Sequence, residues 1–281
     1  MSLQRNLHTL SLSVATAAVL VVSGLFGSVG AQAATPPPGS MAALGDSITQ
    51  ALDSCGYKDC PANSWSTGTS TSVVSHASRL RSAGATTLVV SNDAVSGSTS
   101  ASLLAQAQKA VAQKAQYVTI EIGANDACTP TVAAMTPVAT YEANVRAAVA
   151  LIATSLPSTR VFVASVPNLK TLWAVNKGKL GARLVWASAR ICQSMLARPT
   201  STSATDTARR DAVQQRVTEF NAALVRVCAS FAGCSTDRGA LAGYAFTSAD
   251  ISTLDYFHPS VKGQARIAAL TWPVSPYAVA P

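Results

Sequence analysis

Short apolar runs alternate along the chain with longer stretches in which apolar residues recur every three to four positions. The runs are Met41–Leu44, Thr87–Ser91, Tyr117–Ile122 and Arg160–Val166, and all but the first are rich in Val, Ile or Thr, as buried strands tend to be. Between them Ser72–Ala83, which ends before Gly84, Ala101–Lys114, and Val138–Ser155, which stops before Pro157, predict helices. In the last of these Val145, Val149 and Ile152 give one buried face. After Pro167, Leu172–Leu196 and Thr207–Phe231 predict two longer helices separated by the polar Pro199–Asp206 stretch, and Val261–Leu270 a final short one. Strands alternating with helices predict a single three-layer α/β domain with a parallel central sheet, here with a helical excursion towards the C-terminus.

Residues 1–34 stand apart from this pattern. Arg5 is the one formal charge there, an apolar run extends from Leu10 to Val29, and Ala31-Gln-Ala33 has the small residues of a cleavage site. Ser13, Ser23, Gly24, Gly27 and Ser28 interrupt the run, which favours a secretory signal over a permanent anchor. The expected mature protein is residues 35–281, secreted and extracellular. Its six cysteines, an even number in an exported chain, predict three disulfides, with nearest neighbours paired as Cys55–Cys60, Cys128–Cys192 and Cys228–Cys234. Zinc is the competing reading, and it lacks support: there is no CxxC pair, and only two histidines lie beyond residue 34. The net charge of +8 is spread along the chain, the densest pair being Arg209-Arg210 with Asp206 and Asp211 beside it. No basic run alternates with aromatics, so nucleic acid is not an expected partner.

The candidate general base follows by elimination. Histidine is the side chain whose ordinary pKa lies nearest neutral. His8 lies in the signal, and His76 falls inside the helical pattern Val73-Val-Ser-His-Ala77 as an ordinary helix residue. His258 lies in Leu254-Asp-Tyr-Phe-His-Pro259, where the proline argues against helix interior. Asp255, three residues earlier, can fold back to accept the Nδ1 proton and leave Nε2 free to take one from a hydroxyl. Ser47 is the candidate nucleophile. It follows the first strand in Ala43-Leu-Gly-Asp-Ser-Ile-Thr49, where Gly45 permits a sharp turn and functional groups gather beyond strand ends. A turn or helix cap is the plainer reading of such a serine. Thr49 occupies the last position of a GxSxG elbow, which argues against the ordinary α/β-hydrolase arrangement. Two more loops follow strands. Gly97, in Asn92–Ser98, could offer a backbone N–H, and Asn125, in Gly123-Ala-Asn-Asp126, a side-chain amide, to a developing oxyanion.

Taken together, Gly45-Asp46-Ser47, Gly97, Gly123-x-Asn125-Asp126 and Asp255-x-x-His258-Pro259 resemble the four blocks of the GDSL, or SGNH, hydrolase superfamily, in that family's order and across nearly the whole mature chain. The resemblance implies a flavodoxin-like α/β/α sandwich, Ser47 as nucleophile, His258 as base and Asp255 as orienting acid. It implies an oxyanion hole of the Ser47 N–H, the Gly97 N–H and the Asn125 amide, and no metal or organic cofactor. The first block lacks the aromatic or leucine that often flanks the serine. Cys128 just after the GxND block is similar to the secreted bacterial lipase and phospholipase branch, which implies lipid or fatty-acyl esters as substrates. A carbohydrate O-acetyl esterase is the alternative. Leu172, Trp173, Val175, Leu180, Leu184, Val185 and Trp186 could line an acyl groove or form a cap, with helix core as their commoner fate. The expected partners are a small-molecule or lipid ester and, transiently, a lipid surface, with the protein acting as a monomer. A catalytically inactive secreted binding module is the reading from another class, and the intact Ser47, Asn125, Asp255 and His258 speak against it.

Overall fold

The computed structural model describes residues 36–278; the expected signal, residues 1–34, lies outside them. Among the described residues no helix is long and apolar enough to cross a membrane. Five parallel strands, β1 (Ser40–Gly45), β2 (Val89–Asn92), β3 (Tyr117–Glu121), β4 (Arg160–Val163) and β5 (Cys234–Thr236), form one sheet in the order β2-β1-β3-β4-β5. The helices are α1 (His76–Ser82), α2 (Leu103–Ala112), α3 (Ala124–Ala127), α4 (Val138–Ser155), α5 (Leu169–Asn176), α6 (Leu180–Ser188), α7 (Gln193–Leu196), α8 (Ala204–Ala229) and α9 (Val261–Thr271). The fold is an α/β/α sandwich of the flavodoxin-like order.

The strand order dictates the layers. The chain steps one way from β1 to β2 and the other way thereafter. Right-handed crossovers therefore put α1 on one face and α2, α4 and α8 on the opposite one. On the second face Tyr141 of α4 stacks on Phe220 of α8 with ring centroids 4.0 Å apart. The long α8 is held by a stripe of Val213, Val217, Phe220, Leu224 and Val227, all buried at helical spacing. The direction of travel reverses between β1 and β3, and loops leaving those two strands diverge to open a crevice at their carboxyl ends.

The elements differ from the sequence expectation at several places. The first helix begins at His76 rather than Ser72, because Val74 is left-handed (φ 51°) and Ser75 caps the helix by accepting the Ser78 N–H. The helix expected over Leu172–Leu196 is three. Asn168 caps an earlier start, Gly178 separates α5 from α6, and left-handed Arg190 and Cys192 separate α6 from α7. Strand β4 stops at Val163, short of Val166, whose N–H turns to the Asn221 side chain at 2.8 Å. Strand β5 was not anticipated: three half-buried residues, Cys-Ser-Thr, at a sheet edge carry no apolar run.

His76 closes the face of α1 and α9. Its Nε2 lies 2.8 Å from Thr271 Oγ1 and its Nδ1 2.9 Å from the Tyr117 hydroxyl. The Thr271 hydroxyl donates to the Ile267 carbonyl, so it accepts from Nε2–H, and Nδ1 is left to accept from Tyr117. The ring is neutral and fully satisfied, and burial followed by the charge of Arg79 lowers its pKa to about 3. The unfolded chain takes up this proton near 6.5 and the folded chain does not until about 3. The contribution of His76 is thus fully present above 6.5 and is lost as pH falls through that window. Urea unfolding between pH 7 and 4 should show declining stability, with a shallower decline in His76→Gln, although that variant is less stable at neutral pH. Equal slopes would contradict the assignment.

Candidate active site

The Ser47 segment is shaped where β1 and β3 end side by side. Gly45 pairs with Glu121 and has φ 143°; a Cβ there would lie 2.1 Å from the Glu121 carbonyl oxygen, so only glycine fits. Beyond it Asp46 Oδ1 accepts the Ile48 N–H at 2.9 Å, and the Ser47 carbonyl accepts the Leu52 N–H at 3.0 Å. From α2, buried Gln106 grips Gly45 at both ends, accepting its N–H (2.7 Å) and donating to its carbonyl (2.9 Å). Gln264 of α9 donates to the Ile48 carbonyl at 2.8 Å. Neither glutamine was legible as a site residue, since each occupies an ordinary helical position.

The Asp255–His258 segment reaches Ser47 from the far end of the chain. An Ile251–Pro259 bridge and the Ser252 N–H to His258 carbonyl bond (2.8 Å) close it into a hairpin-like loop. Asp255 Oδ1 accepts the N–H groups of Phe257 and His258 at 2.9 and 3.0 Å, while its Oδ2 lies 2.5 Å from His258 Nδ1. His258 Nε2 lies 2.8 Å from Ser47 Oγ. Trp186 of α6 donates its indole N–H to the Asp255 carbonyl at 3.1 Å. Ser47, His258 and Asp255 therefore form one continuous hydrogen-bonded chain.

The remaining expected residues surround the serine. No acceptor among the described residues engages the N–H of Ser47 or of Gly97, whose φ of 83° belongs to the glycine region. The Asn125 amide donates to the Ser98 carbonyl at 2.9 Å and has only a long 3.5 Å contact with Asp46 Oδ2. Asp126 is buried and accepts from both the N–H and the hydroxyl of Ser100, so the third block is tied to the second.

Charge in the site is arranged by burial. For His258, burial opposes protonation, but the hydrogen bond and charge of Asp255, followed by the charges of Asp46 and Asp53, outweigh it and raise the pKa. For Asp255, burial pushes the other way, yet the His258 bond and charge and the two backbone N–H groups hold it below its ordinary value. Burial raises Asp46 to about 7, against the Ile48 N–H and His258. Glu121, fully buried and with neither oxygen hydrogen-bonded among the described residues, is driven well above the carboxylate range by burial, followed by Asp46 and Asp237. Asp53, Asp255 and His258 bring one ligand-type atom each within 4.8 Å of one another. They do not suit a cation, because Nδ1 is committed to Asp255 and Nε2 to Ser47.

The cysteines pair as Cys55–Cys60, Cys128–Cys192 and Cys228–Cys234. The first closes the loop after Ser47. The second joins the turn after α3 to the start of α7, where Ser194 also donates to the Ala127 carbonyl (2.8 Å). Of the apolar residues that could have lined a groove, Leu172, Trp173 and Trp186 are core, whereas Leu180 and Leu184, one turn apart on α6, are more than half exposed.

A model of the GDSL-like lipase/acylhydrolase family matches residues 43–266, and the chain belongs to that family. It is a carboxylic ester hydrolase of the GDSL type. No curated protein matches the sequence. Among solved structures, the chain is similar in fold to an alpha/beta hydrolase enzyme from the metagenome of Lake Arreo, Spain, at 19% identity and TM-score 0.53, covering 86% of this chain and 97% of that one. It is also similar to an extracellular lipase from Streptomyces rimosus, at 19% identity and TM-score 0.50, covering 83% of this chain and 99% of that one.

The Cys128–Cys192 bridge spans 64 residues and holds the loop carrying Asn125. Replacing both cysteines by serine should lower unfolding free energy by about 2–4 kcal/mol and lower kcat for ester hydrolysis, measured by urea denaturation and steady-state kinetics. Unchanged kcat in the folded variant would show that the rim does not depend on the bridge.

Proposed function

We propose that this is a secreted hydrolase of lipid or fatty-acyl esters that works through an acyl-enzyme on Ser47. The observation that carries the reading is the chain from Asp255 through His258 to Ser47, with each heavy-atom separation at hydrogen-bond length. As Ser47 Oγ bonds to the ester carbonyl carbon, its proton passes to His258 Nε2 and negative charge moves to the carbonyl oxygen. The N–H groups of Ser47 and Gly97 are free to receive that charge. The Asn125 amide can join them by giving up its weak contact with Asp46. The oxyanion then collapses, the ester C–O bond breaks, and the alcohol leaves with the proton from His258. Water, deprotonated by His258, releases the acid and restores Ser47. Asp255 fixes the tautomer throughout and balances the imidazolium.

The fatty-acyl preference is supported by Leu180 and Leu184, exposed on the helix whose Trp186 holds the Asp255 carbonyl. Both lie on the solvent side of α6, opposite buried Ala182 and Trp186, where a lipid surface would be met. Secretion is supported by three disulfides in a chain whose first residues have the pattern of an export signal. A monomer meets the needs of this mechanism, since one chain supplies every group in it.

Hydrolysis of p-nitrophenyl acetate, butyrate, octanoate and palmitate, with Ser47→Ala in parallel, tests the reading. Ser47-dependent turnover should favour the longer chains, and Ser47→Ala and His258→Ala should each lose at least about a thousandfold in kcat while remaining folded. Strong preference for acetate would move the substrate to carbohydrate O-acetyl esters. Turnover unaffected by Ser47→Ala would end the mechanism. With octanoate, kcat/KM should fall as pH drops through a midpoint above 6.5, because the base must be neutral and its pKa is raised. A flat profile, or a midpoint below 6.5, would contradict the role of His258.

A further inference from the structure

Asp53 has no part in the mechanism above, yet its carboxylate stands beside His258, which takes the proton, and Asp255, which orients it. One oxygen of Asp53, one of Asp255 and a ring nitrogen of His258 lie within 4.8 Å of one another. Among the described residues no donor bonds to the Asp53 carboxylate. Its backbone, by contrast, is pinned on both sides. The Asp53 N–H donates to the Lys58 carbonyl at 3.0 Å, its carbonyl accepts the Ser252 hydroxyl at 2.8 Å, and Cys55–Cys60 closes the loop just beyond. The residue is held left-handed, at φ 61°, a conformation that costs most residues free energy.

Such an arrangement is unfavourable while His258 is neutral, because two carboxylates then face each other with no cation between them. It becomes favourable once the ring is charged. We propose that Asp53 is a positioning residue that supplies a second carboxylate to His258. It lowers the energy of the imidazolium formed when Ser47 transfers its proton, and it partly replaces Asp255 when that side chain is lost. An interaction stronger with the charged ring than with the resting one accelerates the step rather than merely tightening binding. Asp53 acts through His258 and forms no bond to substrate, and the inference rests on the reading of His258 as the base.

The other charges around the ring are placed differently. Asp46 faces His258 from the buried end of β1, and Asp59 faces Asp53 from within the disulfide loop. Lys262 of α9 lines, with Asp53, Ser252 and Leu254, the cleft of about 400 Å³ outside the pair. For Asp53 itself, burial followed by the nearby Asp255 raises the pKa, and His258 opposes that rise.

Asp53→Asn removes the charge and keeps the backbone, since asparagine tolerates the left-handed region well. The test is titration of 13C-labelled histidine by NMR in the purified protein, with the His258 signal identified by its loss in His258→Gln. The His258 midpoint should move to lower pH in Asp53→Asn and return in Asp53→Glu. In kinetics, kcat should fall with little change in KM, and Asp53→Asn/Asp255→Asn should be about tenfold below Asp255→Asn alone. An unmoved midpoint in Asp53→Asn overturns the proposal, even if the variant is less stable or its KM rises, because loosening of the loop would do the same. The titration reads the ring itself. A wild-type protein that leaves every ester intact would therefore overturn the catalytic reading of the site, and a midpoint shift in that protein would still establish the Asp53–His258 pairing.

Discussion

The contact between Gly45 and the Glu121 carbonyl, where β1 and β3 end together, governs where Ser47 and Asn125 stand. No side chain can occupy position 45, so the two strand ends close up and the chain must turn at once into Asp46 and Ser47. Gln106 clamps that turn from one face of the sheet and Gln264 from the other. Asn125 and Asp126, which leave β3 at the same level, then tie the turn to the Gly97–Ser100 loop. The Asp255–His258 loop packs against this rim, held by the Trp186 bond to the Asp255 carbonyl and the Ser252 bond to the Asp53 carbonyl.

Burial gives this rim its chemistry. Four carboxyl groups, Asp46, Glu121, Asp126 and Asp237, are buried at the carboxyl ends of the strands. Asp126 and Asp237 meet donors from neighbouring loops. Glu121 meets none among the described residues and burial drives it well above the carboxylate range, while Asp46 is raised to about 7. Low dielectric strengthens the field of each remaining charge. The pairing of Asp255 with His258 is therefore more decisive here than a surface ion pair would be.

Much of the layer structure was legible in the sequence because alternating strand and helix patterns leave few topologies once crossovers are right-handed. The loops bearing Ser47, Gly97, Asn125 and His258 were legible because each follows a strand or precedes a proline and carries a residue type with distinctive chemistry. What escaped had no local signature. Strand β5 is three polar or sulfur-bearing residues, and its pairing depends on β4. The breaks at Gly178 and Cys192 arise from packing and a disulfide across 64 residues. Gln106 and Gln264 gain their importance only through partners 61 and 216 residues away.

Covalent capture of the nucleophile tests the arrangement most directly. The protein should be treated with an alkyl fluorophosphonate, digested, and the modified peptide sequenced by mass spectrometry. A single adduct on Ser47, formed quickly in the wild type and hardly at all in His258→Ala, is the predicted result. An adduct on another residue, or esters turned over with Ser47 left unmodified and the reagent without effect, would contradict Ser47 as the nucleophile.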